Sequence, residues 1–190
     1  MNKPYTQDKV FNDIDYSIKP LDKGEYDTCT FVNCNFSDSD LSTITFIECE
    51  FDNCNLSMAK MNGTAFNEVK FKTCKLLGVH FNNCDNYLFS ADFDDCYLNL
   101  SSFYKLKIKG IKFSNCSLQE VDFNEADLSD AVFNNCDLSR AIFENTVLEK
   151  ADFRTSYNYV IDPEVNRIKK AKFSIEGLKG LLEKYNIEVE

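Results

Sequence analysis

The sequence predicts an all-β solenoid: a short four-sided coil repeated along one axis, closed by a short C-terminal helical cap. Three observations predict it. A large apolar residue returns every five positions from Phe11 to Phe153. Two positions before nearly every one stands a small or apolar residue, with a polar residue between, which is the in–out–in period of a strand. Every fourth large residue is Phe, which sets the coil at 20 residues.

The ladder runs Phe31, Phe36, Leu41, Phe46, Phe51 and onward to Phe81, slips by two, and resumes at Leu88 and Phe93. Sixteen of the 17 Phe occupy its centres, and Phe89 falls outside it. The two residues after each centre, often Asn, Asp, Ser or Gly, suit a turn. Each unit is therefore a three-residue strand and a corner, too short for a helix or a free hairpin. Hydrogen bonds then run along the axis between coils about 4.8 Å apart. Phe and Leu stack inside, because solenoid repeats bury their core only against neighbours. About eight coils give a rod of roughly 39 Å at that spacing.

The cassettes FVNCNF at 31, FDNCNL at 51, FKTCKL at 71, FDDCYL at 93, FSNCSL at 113 and FNNCDL at 133 place six cysteines in one column. Regular cysteines suggest metal ligands or disulfides. The small slot also takes Ala, Val, Ser and Thr, and the lone histidine, His80, faces outward, so the column reads as small inward hydrophobes. No metal or other cofactor is expected.

ADLSD at 126–130, CDLSR at 136–140, AIFEN at 141–145 and ADFRT at 151–155 follow A(D/N)LXX. This pattern, over roughly residues 11–155, resembles the pentapeptide-repeat family. The resemblance implies a right-handed quadrilateral β-helix. The stretch IDPEVNRI, 161–168, resembles the tail of the Qnr-type and microcin-immunity members. Those members protect DNA gyrase, are thought to mimic DNA, and dimerise through their C-terminal ends.

Two breaks interrupt the repeat. Asn86 and Tyr87 are a two-residue insertion, which reads either as a bulge that turns Tyr87, and with it Phe89, outward as a partner site, or as a tolerated insertion whose aromatics fold back on the wall. The second break, 155–166, reads as a loop, after which the register returns at Ile168 and Phe173. Residues 1–156 form the repeat domain and 157–190 the cap. Ser174 is the expected helix N-cap and Asn186 its stop, followed by a short strand at Ile187–Val189. Leu178, Leu181, Leu182 and Tyr185 follow helical spacing and are the candidate homodimer interface.

The chain carries a net charge of −10. That balance disfavours direct binding of nucleic acid or anionic lipid. Residues 29–153 hold 19 acids against 10 bases. Asp122, Glu125, Asp127, Asp130 and Asp137 are the densest acidic stretch and the candidate contact for a type II DNA topoisomerase. Glu50, Lys70, Asp92 and Lys112 alternate in sign from coil to coil, which suits cross-strand pairing. Lys105, Lys107, Lys109 and Lys112 read as balancing charges without neighbouring aromatics. No phosphate loop, nucleophile elbow or Cys/His pair points to an enzyme. No apolar run has the length of a membrane span and no secretory leader is visible, so the cytoplasm is the expected compartment. Two roles follow: a DNA-mimicking protector of gyrase against a quinolone or peptide toxin, or a general protein-binding scaffold with another partner.

Overall fold

The computed structural model describes residues 4–87 and 89–188. The chain winds into a four-sided parallel β-solenoid. The first side is a seven-stranded parallel sheet of Val10–Asn12, Thr30–Val32, Glu50–Asp52, Val69–Lys72, Ala91–Asp94, Lys112–Ser114 and Val132–Asn134. The fourth side, in the N-terminal half, is a four-stranded sheet of Tyr5–Gln7, Glu25–Asp27, Thr45–Ile47 and Ala65–Asn67. The second and third sides are held by single parallel bridges, such as Asn35 to Asn55 and Ser102 to Asp122.

A three-residue strand was expected on every side. On the second side the chain turns sooner. The Ser39 N–H donates back to the Phe36 carbonyl at 3.1 Å, across Asp38 at φ 56°. A left-handed third residue is what a type II turn demands. That turn consumes the groups a longer strand would have offered the next coil. The left-handed corner still spends its own N–H along the axis, as Asp38 donates to the Ser57 carbonyl at 3.0 Å.

Register is kept by burial, since a one-residue slip would turn every Phe outward. Phe31 faces Phe51, Phe51 faces Phe71, and Phe71 faces Phe93 across the two-residue insertion. The predicted Phe column is continuous from Phe11 to Phe173. Its rings stack face to face, from 4.5 Å between Phe133 and Phe153 to 5.5 Å between Phe153 and Phe173. Rings from neighbouring sides meet them edge-on, as Phe31 and Phe46 do at 5.9 Å. Both geometries suit the aromatic quadrupole, at about 0.5–1.5 kcal/mol per pair beyond burial.

All nine thiols are free and buried. They do more than fill space. At the corner between the first and second sides, the Cys34 N–H donates to the Cys54 Sγ at 3.4 Å, while the Cys54 thiol donates to the Phe31 carbonyl at 3.3 Å. One sulfur thus gives the Cys34 N–H an acceptor at the corner and adds a second donor to a carbonyl of the ladder. Ser156 takes the same position after the last cysteine. Its hydroxyl accepts from the Cys136 N–H at 3.1 Å and donates to the Phe133 carbonyl at 2.9 Å. Burial pushes the Cys49 thiol up to about 12, which keeps it protonated and able to donate.

The register resumes after the second break as expected, with Arg167 bridging Val147 and Lys172 bridging Asp152. Asn166 fills a small slot, accepting from Thr146 N–H at 2.9 Å and donating to the Phe143 carbonyl at 2.8 Å. The cap is a short α-helix, Lys179–Leu182, flanked by 3-10 turns at Glu176–Leu178 and Glu183–Tyr185. Ser174 caps it by accepting from the Gly177 N–H at 3.0 Å, and Asn186 stops it at φ 47°. Gly177 and Gly180, poor helix formers, stand where the cap crosses Tyr159. A Cβ on either would collide with the Tyr159 hydroxyl or carbonyl. Ile187 and Glu188 form no strand, and Val189 lies outside the described residues.

Candidate partner-binding site

The insertion sits on the fourth side, between Cys84 and Ala91. A 3-10 turn, Phe81–Asn83, leads into it. The two ends stay in register: Asp85 N–H donates to the Thr64 carbonyl and Ser90 N–H to the Phe66 carbonyl, both at 2.8 Å. Between them the Asp85 carboxylate accepts from the Tyr87 N–H at 3.0 Å, a local turn that lifts the chain off the wall. Tyr87 is 90% exposed.

Phe89 goes the other way, so neither reading of the insertion holds for both aromatics: Tyr87 faces outward and Phe89, a candidate outward contact, does not. It is buried, edge-on to Phe66 at 6.0 Å and to Phe81 at 5.9 Å. An exposed Phe would forgo about 1.5–3 kcal/mol of burial, and the ring packs instead against Phe66 and Phe81. Leu88, the expected ladder centre, lies outside the described residues. Phe89 therefore anchors the bulge and Tyr87 is what it presents.

Below the bulge lies a shallow concavity of about 730 Å³, whose lining includes Asn67, Asp85, Tyr87, Ser90, Lys105 and Lys107. The Lys105 ammonium sits 4.8 Å from the centroid of the Tyr104 ring and 3.4 Å from Glu125. No carboxylate among the described residues pairs with Lys107. The basic patch does have aromatic neighbours, contrary to the sequence reading. The repeat held a signal for this: Lys107 stands 20 positions, one coil step, after Tyr87.

The acidic candidates form a belt around the rod. Asp122 bridges on the third side, Asp127 on the fourth and Asp137 on the second. Each carboxylate also closes its own corner, accepting from the N–H of Asn124, Ser129 and Ser139 respectively. Burial alone would raise Asp127, but hydrogen bonds from Ser129 and Lys109 outweigh it and hold the carboxyl below its usual range. Glu125 pairs with Lys105, Asp127 with Lys109 and Asp130 with Lys150. On the first side Lys112 pairs with Asp92 as the alternating signs predict, while Glu50 pairs diagonally with Lys72 and not with Lys70 opposite it.

At the C-terminal end Leu181 packs against the core and Leu182 is half-buried. Leu178 and Tyr185 remain about half exposed, beside exposed Ile175 and Ile187. The Tyr185 hydroxyl donates to Glu164 at 2.7 Å, so this residue is tied to its own chain. Among the described residues no group of His, Cys, Asp and Glu is arranged to hold a metal, and no helix is long and apolar enough to cross a membrane.

The solved structure of QnrB1, a plasmid-mediated fluoroquinolone resistance protein, aligns over 98% of this chain and all of its own, at 20% identity and TM-score 0.47. HetL, a pentapeptide repeat protein involved in heterocyst differentiation regulation from the cyanobacterium Nostoc sp. strain PCC 7120, aligns over 93% of this chain and 89% of its own, at 14% identity and TM-score 0.51. No curated protein matches in sequence. The pentapeptide repeat region pattern matches residues 25–87 and 76–153, most of the coil described above. The chain belongs to the pentapeptide repeat family.

Proposed function

We propose that this protein is a non-catalytic protein-binding rod that engages a type II DNA topoisomerase, DNA gyrase, and shields it from a quinolone or peptide toxin. The observation that carries this reading is the acidic excess of the coil, 19 acids against 10 bases over residues 29–153, on a convex, side-chain-filled rod. The tail resemblance at 161–168 supports it. A duplex of similar length would carry roughly 23 charges at one per 1.7 Å, so the mimicry would be of shape and sign rather than full density. The acids Asp122, Glu125, Asp127, Asp130 and Asp137 are the proposed contact, doubled by a homodimer joined at the C-terminal end.

The test is a gyrase supercoiling assay with purified protein, with and without ciprofloxacin, at two salt concentrations. Salt-sensitive inhibition, or rescue from drug-induced cleavage, supports the reading. No effect at tens of micromolar sinks it. A second reading, a scaffold for another partner, is favoured by one specific observation: the bulge presents Tyr87 to solvent beside two lysines.

A further inference from the structure

We infer that the concavity under the bulge is a docking site for an extended acidic segment of a partner protein, with Tyr87 as its aromatic wall and Lys105 and Lys107 as its charge contacts. This rests on the scaffold reading and not on the topoisomerase one.

Three features point to one kind of occupant. The first is charge. On a chain of net charge −10, Lys105 and Lys107 line the same concavity. Lys107 has no carboxylate partner among the described residues, and Lys105 shares a single exposed one, Glu125. A carboxylate entering the concavity would meet one unpaired ammonium and one that is only loosely held.

The second is the pair of aromatics. Tyr87 stands fully out from the wall, and Tyr104 already carries the Lys105 ammonium over its ring at 4.8 Å. An exposed tyrosine offers apolar area at low entropic cost, the kind of anchor that interfaces favour. The Asn67 and Ser90 side chains, which also line the floor, supply neutral hydrogen-bonding groups for a peptide backbone.

The third is rigidity. Phe89 is buried on one side of Tyr87, and the Asp85 turn fixes the other. The chain is pinned to the wall at Asp85 and again at Ser90, which lowers the ordering cost of binding.

The surroundings select a short peptide over nucleic acid. Asp85 stands in the loop itself, and Glu125 and Asp127 pair with Lys105 and Lys109 at the edge of the patch. Asp85 lines the concavity beside the two lysines, so a polyanion with a charge on every residue would run into it, whereas a segment with spaced carboxylates can set these on the lysines and a neutral residue beside Asp85.

The test is fluorescence anisotropy on the full chain, with three labelled probes: a peptide alternating Glu and Phe, its Gln-for-Glu counterpart, and an oligo-dT strand. The acidic peptide is expected to bind best and to weaken with salt. Lys105→Gln with Lys107→Gln should weaken it roughly fivefold, and Tyr87→Ala by a similar factor. Lys70→Gln, on the first side, should leave binding unchanged. These side chains are exposed, so thermal unfolding of each variant should match the parent. Equal binding of the Gln counterpart, no loss in the Lys105/Lys107 variant, or tighter binding of oligo-dT would each overturn the proposal. A negative gyrase assay with positive peptide binding would reject the topoisomerase reading and leave this one standing.

Discussion

The Cys74 backbone N–H donates to the Cys96 sulfur across adjacent coils at 3.4 Å, and the Cys96 thiol donates in turn to the Phe71 carbonyl, also at 3.4 Å. The same N–H to sulfur clasp joins Cys34 to Cys54 at the same corner. Cys96→Ser keeps a donor and an acceptor in place, as Ser156 does naturally. Cys96→Ala leaves the buried Cys74 N–H without its acceptor, at about 1–3 kcal/mol for such a loss. Urea unfolding should therefore rank Ala below Ser, and equal midpoints would show that the column is packing alone.

The Phe133 ring lies between Phe113 at 5.3 Å and Phe153 at 4.5 Å. Phe133→Ala should cost about 3–5 kcal/mol through lost burial and an unfilled cavity. Because each coil touches only its neighbours, the break should lower the cooperativity of unfolding as well as its midpoint. Circular dichroism against urea reads both, and an unchanged slope would argue that the rod unfolds as one unit.

Gly180 makes an opposite prediction to ordinary helix propensity. Gly→Ala inside a helix usually stabilises by about 1 kcal/mol. Here the methyl would strike the Tyr159 carbonyl, and Ile161 N–H would lose its 3.0 Å bond to the Gly180 carbonyl as the cap lifts. Gly180→Ala should lower the melting temperature and expose the last coil to proteolysis. A stabilised variant would show that the cap does not dock on Tyr159.

Acid should loosen the corners. Hydrogen bonds from the Ser42 hydroxyl and N–H, with help from Lys23, hold the Asp40 carboxyl at about 2. Asp137 is also depressed: burial opposes ionisation, but Ser139, Asn158 and Gln119 outweigh it. A carboxyl depressed in the folded state contributes stability that is present above its unfolded pKa, near 4. That stability is lost as pH falls through the folded value. Urea midpoints should be flat above about pH 5 and fall between about pH 4 and 2. Asp137→Asn should flatten part of that fall while keeping the turn, since Asn35 and Asn55 accept the same bond from Ser37 and Ser57.

The exposed Ile175, Leu178 and Ile187 at the capped end are the apolar surface available to a second copy. A dimer by sedimentation, reduced to monomer by Leu178→Glu with Ile175→Glu, is the expected outcome for the proposed homodimer. A parent chain that sediments as a monomer at tens of micromolar removes that proposal.

The four sides, the coil length, the Phe column and the resumption at Phe173 were legible in the sequence. Each follows from burial period alone, and a rod built of near-identical coils repeats that period many times. The charge pairing of Asp92 with Lys112 was legible for the same reason, because residues one coil apart are neighbours, whereas Glu50 pairs diagonally with Lys72 and not with Lys70 opposite it. What burial period does not encode, only the tertiary structure decided. Phe89 and Tyr87 are both large and both off the ladder, and which one turns inward depends on the space left between Phe66 and Phe81. The cysteines looked like filler because hydrogen bonds to sulfur leave no mark on spacing. Gly177 and Gly180 looked like flaws in a helix until Tyr159 was found beneath them. The acids of 122–137 looked like one surface because they are close in sequence, yet a 20-residue coil distributes neighbours in sequence around the rod and gathers on one face only residues a full turn apart.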